Sequence, residues 1–567
     1  MSAKKPSRSA ATVTDEPRPP VVSLISLGCA KNEVDSERIL GKLITSGFLV
    51  AEDPAEADVC LVNTCGFITD SREESAGVLR ELQELKQSGR VKSVVALGCL
   101  VERASGAPET SGYLKDADAL VGFQDYPKLE EICRELAAGT TKPKPAAEGI
   151  PVVIGDKRFK GLAAGAGSFT ASYNQFLTAP RLRLGSPHIA HLKISEGCSN
   201  FCKFCSIPYI RGVQVSRPVE DIVREARELI DGGAVEISLI AQDTTSYGRD
   251  LYGEYRLSAL MKALFALDAP VWFRLMYAFP RFLTDDMLAT LASDPRLCPY
   301  IDMPLQHISD RMLSDMGRGM LRKETVALLD RIRATWPDGA IRTTFIVGYP
   351  GETAEQFDEL LAFVQEGRFS HVGVFMYSHE PKTPSARLPD NVPLVEKKRR
   401  RDAIMAAQLE VSRKRLAAMV GRTVDVMVDG APGPGMSVPR GVTAMGRSQR
   451  EASDVDGVIF LKGRAAARLE PGTTPSSKTA SITTSSPARP DPALLTQACP
   501  LTGTSVPAKG KEIKNVWKRR VKGLSLAHSV PHSYEWRWRA VYPTRAGAAP
   551  KAGKHRIPPR RWSGLPS

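Results

Sequence analysis

Cys198-Ser-Asn-Phe-Cys202-Lys-Phe-Cys205 follows directly on the apolar stretch His191-Leu-Lys-Ile-Ser-Glu-Gly197. A strand is thus predicted to end in a loop that carries three cysteines within eight residues. Three thiolates suit three irons of a four-iron cluster and leave the fourth iron open. A structural zinc site takes four closed ligands, usually as two C-x-x-C pairs, and no second pair follows here. The spacing therefore favours an iron-sulfur site with an open metal position over zinc.

Toward the carboxyl terminus, six strand candidates (191–197, 235–241, 271–279, 300–306, 341–347 and 371–377) alternate with helical patterns. Val219-Glu-Asp-Ile-Val-Arg-Glu-Ala-Arg-Glu-Leu-Ile230 shows apolar residues at helical spacing, with Gly232-Gly233 as its stop. This alternation predicts a partial β/α barrel. Such folds place active residues at the carboxyl ends of their strands, where the cysteine loop falls. Gln242 and Asp243, Gln306 and His307, and the turn Gly348-Tyr-Pro-Gly-Glu352 stand at the same ends. Gly348 and Gly351 allow the backbone to approach an adenine or ribose closely, although a plain tight turn has the same composition. Gln242, Asp243, Gly348, Gly351 and Glu352 are accordingly the candidate cofactor contacts, and His307 is read as a structural, hydrogen-bonding histidine. Arg211 and Arg217 suit either a carboxylate of cofactor or substrate, or a structural ion pair.

Toward the amino terminus, strands are predicted over Val21–Gly28, Asp58–Thr64 and Val91–Gly98, each followed by a helical pattern. This is a small parallel α/β domain. Each of the three strands ends in a cysteine: Cys29, Cys65 and Cys99. Carboxyl ends of parallel strands line the ligand crevice, so three cysteines at three equivalent ends favour a second cluster over three buried small hydrophobes. Cys60, inside a strand, and Cys133, on an apolar helix stripe, read as core.

The chain has 567 residues, 42% of them hydrophobic, and ten cysteines. Residues 1–20 have no apolar signal-like region, and no apolar run reaches membrane-spanning length, so a cytoplasmic protein without a membrane partner is expected. Free thiols and iron suit that compartment. The expected organisation is a disordered segment at 1–20, the α/β domain at 21–140, a linker or insertion at 141–187, the partial barrel at 188–415, a small β domain at 416–473 and a basic tail at 474–567. That tail holds 17 Lys and Arg against three acids (Asp491, Glu512 and Glu535), so the whole net charge of +14 lies in it. The folded body is formally neutral, and its surface carries no charge argument for nucleic acid.

Several segments together resemble the radical S-adenosylmethionine methylthiotransferases. They are Leu27-Gly-Cys-Ala-Lys-Asn-Glu-Val-Asp-Ser-Glu37, Asn63-Thr-Cys-Gly66, Gly98-Cys99, the cysteine loop with Ile207-Pro-Tyr-Ile-Arg-Gly212 and Ser216-Arg217, Gln242-Asp243, and Pro304-Leu-Gln-His307. The Leu-Gly-Cys-Ala-Lys-Asn opening is similar to the RimO type, which acts on a ribosomal protein. The MiaB type, which acts on tRNA adenosine, opens more often with Gly-Cys-Gln-Met-Asn. The resemblance covers about residues 21–460. It implies two [4Fe-4S] clusters, one on Cys29, Cys65 and Cys99 and the other on Cys198, Cys202 and Cys205, together with S-adenosylmethionine (SAM). It implies as substrate the β-carbon of an aspartate on small-subunit ribosomal protein twelve, free or in the assembling subunit, and it requires an electron donor. One SAM would methylate a cluster-bound sulfur and a second would be cleaved to the radical that takes the hydrogen. Such an unactivated C–H bond lies beyond side-chain acid–base chemistry.

The family ends in a small β-barrel, the TRAM domain, and Gly421–Gly430 and Asp454–Leu461 are similar to its strands. After about Pro471 the similarity stops, and four of the six tryptophans (Trp517, Trp536, Trp538 and Trp562) fall in the basic stretch beyond. A reading-frame shift produces such a change where barrel strands are due. A basic arm with interleaved aromatics for RNA contact is the alternative. Either reading makes the barrel incomplete and the tail disordered. An iron-sulfur protein left catalytically idle by this altered end is the remaining alternative to either enzyme.

Overall fold

The computed structural model describes residues 18–139, 152–154, 176–433, 436–462 and 481–483. The segment expected at 1–20, the linker at 141–187 and the tail from 474 thus lie mostly outside the described residues. The amino-terminal part is a six-stranded parallel sheet of β1 (Val21–Ser26), β2 (Leu49–Val50), β3 (Val59–Thr64), β4 (Ser93–Gly98), β5 (Ala119–Val121) and β6 (Val152–Ile154), in the order β2-β1-β3-β4-β5-β6. β3 and β4 are buried along their whole length, and their near-continuous apolar runs match a sheet covered on both faces. Successive residues point to opposite sides: Leu61 and Val95 enter one core with Ile39 and Leu129, Val62 and Val94 the other with Leu79 and Leu120. Helices α1 (Ala30–Thr45), α2 (Thr69–Gln87) and α3 (Cys99–Gly106) follow β1, β3 and β4. The helix α4 (Leu129–Ala138) ends on Gly139 in the left-handed conformation and buries Cys133.

The second part carries β7 (Ile189–Lys193), the short antiparallel pair β8 (Ser195–Glu196) and β9 (Val215–Ser216), then β10 (Glu236–Ile240), β11 (Trp272–Leu275), β12 (Tyr300–Asp302), β13 (Ala340–Val347) and β14 (His371–Met376). β7-β10-β11 and β12-β13-β14 are parallel trios. The Cys298 amide donates to the Phe273 carbonyl and the Ala278 amide to that of Asp302, joining the trios into one arc of six strands in chain order. The expected partial barrel is therefore present, with most strands shorter than predicted; Tyr277, just after β11, and Gln306, after β12, hold positive φ (61° and 74°), and Gln306 still bridges to Phe345. The two faces of the arc differ. Ile237, Leu239, Phe273, Leu275, Ile301, Phe345 and Val347 pack outward under the helices, whereas Glu236, Arg274, Asp302 and Arg342 alternate with them on the concave side.

Helix Leu394–Ala417 leads to an antiparallel unit of β16 (Met427–Gly430), β17 (Val442–Arg447) and β18 (Ile459–Lys462). Preceding it in sequence, β15 (Thr423–Asp425) pairs antiparallel with β19 (Ser481–Thr483) as a separate two-stranded sheet, so three residues of the segment expected to be a disordered tail are paired. Among the described residues these strands do not close into a barrel. Arg447 ties the unit to the arc through Glu236 at 2.8 Å and is held by Asp429 at 2.8 Å. No helix among the described residues is long and apolar enough to cross a membrane.

Candidate functional site

Cys29, Cys65 and Cys99 stand on three loops that an amide network pins together. Asn32 donates from Nδ2 to the carbonyls of Leu27 (2.8 Å) and Thr64 (3.1 Å), and Asn63 donates from Nδ2 to the Asn32 carbonyl (2.9 Å) and Ser36 Oγ (2.9 Å). Thr64 Oγ1 donates to the Leu97 carbonyl at 2.7 Å, and the Cys65 amide to Ser75 Oγ at 3.1 Å. Gly98, at φ 90°, is the point of closest approach: a Cβ there would lie 2.2 Å from Asn63 Oδ1. Cys29 caps α1 and Cys99 opens α3, so both thiols sit at helix amino termini, where the helix dipole favours a thiolate.

Cys198, Cys202 and Cys205 occupy the loop between β8 and the turn Ile207–Ile210. The Cys198 amide donates to the Gly212 carbonyl at 3.1 Å and the Cys205 amide to that of Cys202 at 3.0 Å. Gly197, at φ 71°, passes so close to Val213 that a Cβ would meet its carbonyl oxygen at 2.2 Å. Phe201 takes the left-handed conformation at φ 48°, a strain that concentrates where the local structure is over-determined.

All six cysteines line one cavity of about 1250 Å³. All six are free thiols. One arginine donates to a sulfur of each set: Arg211 Nε to Cys99 Sγ and Arg318 Nη1 to Cys202 Sγ, both at 3.2 Å. Arg211 follows the radical-type loop in sequence yet serves the amino-terminal set. It also pairs with Glu196 (2.8 Å) and Asp35 (3.1 Å) and donates to Asn32 Oδ1, while Lys193 holds Asp35 at 2.5 Å and Glu196 at 3.0 Å. Burial opposes the charge on Glu196, but Arg211 and Lys193 outweigh it and hold its carboxyl well below the usual carboxylate range. A second tie is Glu380, paired with Arg103 at 2.6 Å and Arg72 at 2.7 Å. Arg103 also donates to the carbonyls of Gly66 and Phe67 next to Cys65.

Burial pushes the thiols of Cys65 to about 11 and of Cys99 and Cys198 to about 12, and raises that of Cys205 as well. Burial also opposes a Cys29 thiolate, but Lys31 and Arg211 reverse the sign and bring its pKa below the ordinary value. Buried thiols of this kind ionise by exchanging their proton for a metal. Among the described residues, no three His, Cys, Asp or Glu side chains converge tightly enough for a single metal ion. Free thiols are the soft donors that iron-sulfur clusters take, and two groups of three of them face this cavity.

The other predicted contacts separate. Gln242 is on the cavity wall and donates to Glu196 Oε1 at 2.6 Å. Asp243 is buried behind it, accepting from Asn200 (2.8 Å) and Thr245 (2.6 Å). Gly348, Gly351 and Glu352 do not line the cavity, because Glu352 folds inward to accept the Gly348 amide and pair with Arg400 at 2.9 Å. His307 bonds Glu352 and the Ser309 amide, as a structural histidine does. Arg217 pairs with Glu225 at 2.6 Å. Sequence reasoning passed over Lys31, Arg318, Asp302 and Arg342, all on the wall. A signal existed for two of these: an acid or arginine inside the apolar strands Tyr300-Ile-Asp302 and Ile341-Arg342-Thr has to face something polar. Ala452 to Val455, from the loop between β17 and β18, complete the wall, and Asp456 there accepts from Tyr300 Oη at 2.7 Å.

Two family models match the chain: the Radical SAM superfamily over residues 192–364 and the Uncharacterized protein family UPF0004 over residues 21–122. The ribosomal protein uS12 methylthiotransferase RimO of Anaeromyxobacter sp. (strain Fw109-5) is 43% identical over 440 residues, 78% of this chain and 87% of that protein. That of Geobacter sulfurreducens is 40% identical over the same share of this chain and 92% of its own length. Among solved structures, the radical S-adenosylmethionine methyltransferase TsrM from Kitasatospora setae is similar with a TM-score of 0.48, at 15% identity, covering 65% of this chain and 74% of that one. At this identity and coverage, the chain belongs to the RimO methylthiotransferase family and is a radical SAM transferase.

Proposed function

We propose that this enzyme methylthiolates the β-carbon of an aspartate on ribosomal protein uS12, with one cluster on Cys29, Cys65 and Cys99, another on Cys198, Cys202 and Cys205, and two molecules of SAM per turnover. The observation that carries this reading is that both sets of three cysteines open into one cavity. When bound, the clusters and SAM supply one-electron chemistry able to break an unactivated C–H bond. The chain's own residues do the rest. Three thiolates per set leave one iron without a protein ligand, Arg211 and Arg318 place charge-assisted hydrogen bonds on one sulfur each, and Gln242 stands on the wall beside them. Phe279, Tyr277 and Ala452 to Val455 of the β17–β18 loop line the same cavity and would screen a bound substrate from water. An electron donor is needed. The antiparallel unit, a partial counterpart of a TRAM domain, is the docking element for the ribosomal protein.

The test is the intact mass of uS12 from a strain lacking its own enzyme, with and without this gene. A gain of one methylthio group supports the proposal. Unmodified uS12 together with a methylthiolated tRNA adenosine would replace it with the tRNA reading, and neither product would leave an iron-sulfur protein that is catalytically idle.

A further inference from the structure

Each of the five strands from β10 to β14 puts a polar side chain on the concave face of the arc, and all five close on the loop between β17 and β18. Glu236 pairs with Arg447 at 2.8 Å, Arg274 Nη1 donates to the Gln449 carbonyl at 2.9 Å, and His371 Nε2 donates to that of Arg450 at 3.1 Å. Tyr300 Oη donates to Asp456 Oδ2 at 2.7 Å, and Arg342 Nε lies 3.5 Å from Asp456 Oδ1. Asp456 also closes the turn on itself. The Ala452 amide donates to its Oδ2 at 2.9 Å, and its own amide donates to the Ala452 carbonyl at 3.3 Å. Buried polar groups are unfavourable unless each finds a partner, so five of them converging on one turn hold that turn in place. The tip of the turn is the opposite of its base. Ser453, Asp454 and Val455 line the cavity that all six cysteines share, Asp454 is exposed, and Val455 is 41% exposed. Asp454 holds φ 66°, a conformation uncommon outside glycine. These residues are thus the open part of the wall, where a segment of a large substrate enters. A rigid base beneath an exposed, partly apolar tip is a contact surface ordered before its ligand arrives.

We infer that Ser453, Asp454 and Val455 form a specificity-determining tip that contacts the uS12 segment flanking the target aspartate, and that Asp456 is the residue positioning it. The inference rests on the proposed uS12 reading and goes beyond docking by the antiparallel unit as a whole. Selection of the segment is placed in three residues on the wall of the reacting cavity, and their position is set by the barrel strands beneath them.

The experiment uses the full-length, iron-loaded enzyme acting on uS12, with KM and kcat measured separately and hydrogen exchange of the tip followed as uS12 is added. The double variant Asp454→Gly with Val455→Ala removes both exposed side chains, and glycine accepts φ 66° without strain, so every bond of the base stays in place. It should raise KM for uS12 by about tenfold, the scale for losing two interface side chains, and change kcat far less. Asp456→Ala should raise KM for uS12 at least as much. Asp456→Asn keeps an acceptor for Tyr300 and the Ala452 amide and should recover most of that loss. In the wild type the amides of residues 453 to 455 should gain protection when uS12 binds. An unchanged KM for uS12 in the double variant overturns the inference. So does a raised KM for SAM alone, which would assign the tip to the cofactor, and so does a fall in kcat with KM unchanged, which would make the turn structural. If Asp456→Ala does not fold, the double variant decides the matter by the same criteria. Wild type that leaves uS12 unmodified would instead overturn the aspartate reading, and this inference with it.

Discussion

The two sets of cysteines reach one cavity by opposite routes. Cys198, Cys202 and Cys205 lie within eight residues of a single loop, held by backbone hydrogen bonds inside that loop and to Gly212. Cys29, Cys65 and Cys99 come from three loops of a sheet, 70 residues apart at the extremes, and are brought together by Asn32, Asn63 and Thr64. The first set is fixed by local chain geometry and the second by tertiary structure. The amino-terminal set should therefore be the fragile one, dependent on contacts made far from any cysteine.

The largest effects separate the sets by chemistry. Cys202→Ala should abolish both SAM cleavage and uS12 modification. Cys65→Ala should abolish modification while SAM cleavage persists, as read by chromatography of the cleaved nucleoside. Loss of SAM cleavage in Cys65→Ala would show that the two sites do not work independently.

Next comes the buried tie at Glu380. Glu380→Gln leaves Arg72 and Arg103 without their carboxylate, and breaking a buried pair of this kind costs about 3–5 kcal/mol. Because Arg103 also holds the carbonyls beside Cys65, denaturant titration should show the loss of stability and iron analysis should show preferential loss from the amino-terminal set.

Acid should discriminate in the same direction. Glu225 joins Arg38 of α1 to Arg217 of the barrel and Arg181. Burial opposes its charge, and the three arginines outweigh burial and lower its pKa from 4.5 to about 2. A lowered folded pKa means that this stabilisation is full above about pH 4.5 and is lost as the pH falls toward 2, a change of roughly 3 kcal/mol. Denaturation midpoints between pH 5 and pH 3 should fall more steeply in the wild type than in Glu225→Gln. The smallest effect is expected from the charged tail: removing residues 484–567 should leave iron content and SAM cleavage unchanged, since every described residue on the cavity wall precedes 456.

The same contrast explains what the sequence disclosed. The contiguous cysteine loop and the six strand-helix alternations are local patterns, so the partial barrel and the place of that loop at its cavity were legible directly. The amino-terminal set was legible only through the rule that ligands gather at the carboxyl ends of parallel strands, and Cys60 and Cys133 were separated from it correctly, both being buried away from the cavity. The Gly348 to Glu352 turn shows the limit. Its composition permits ligand contact, but the direction in which Glu352 folds depends on Arg400 of a later helix, which no local pattern reveals. Lys31 was quoted only as part of a motif, because burial beside Tyr277 is a property of two segments 246 residues apart.

The most direct test of two separate sites is iron and sulfide per chain in the anaerobically reconstituted protein and in two triple variants, Cys29→Ala with Cys65→Ala and Cys99→Ala, and Cys198→Ala with Cys202→Ala and Cys205→Ala. Wild type should hold about eight irons, and each triple variant about four with the spectrum of an intact [4Fe-4S] cluster. About four irons in the wild type, all of them lost in one triple variant and none in the other, would contradict the account.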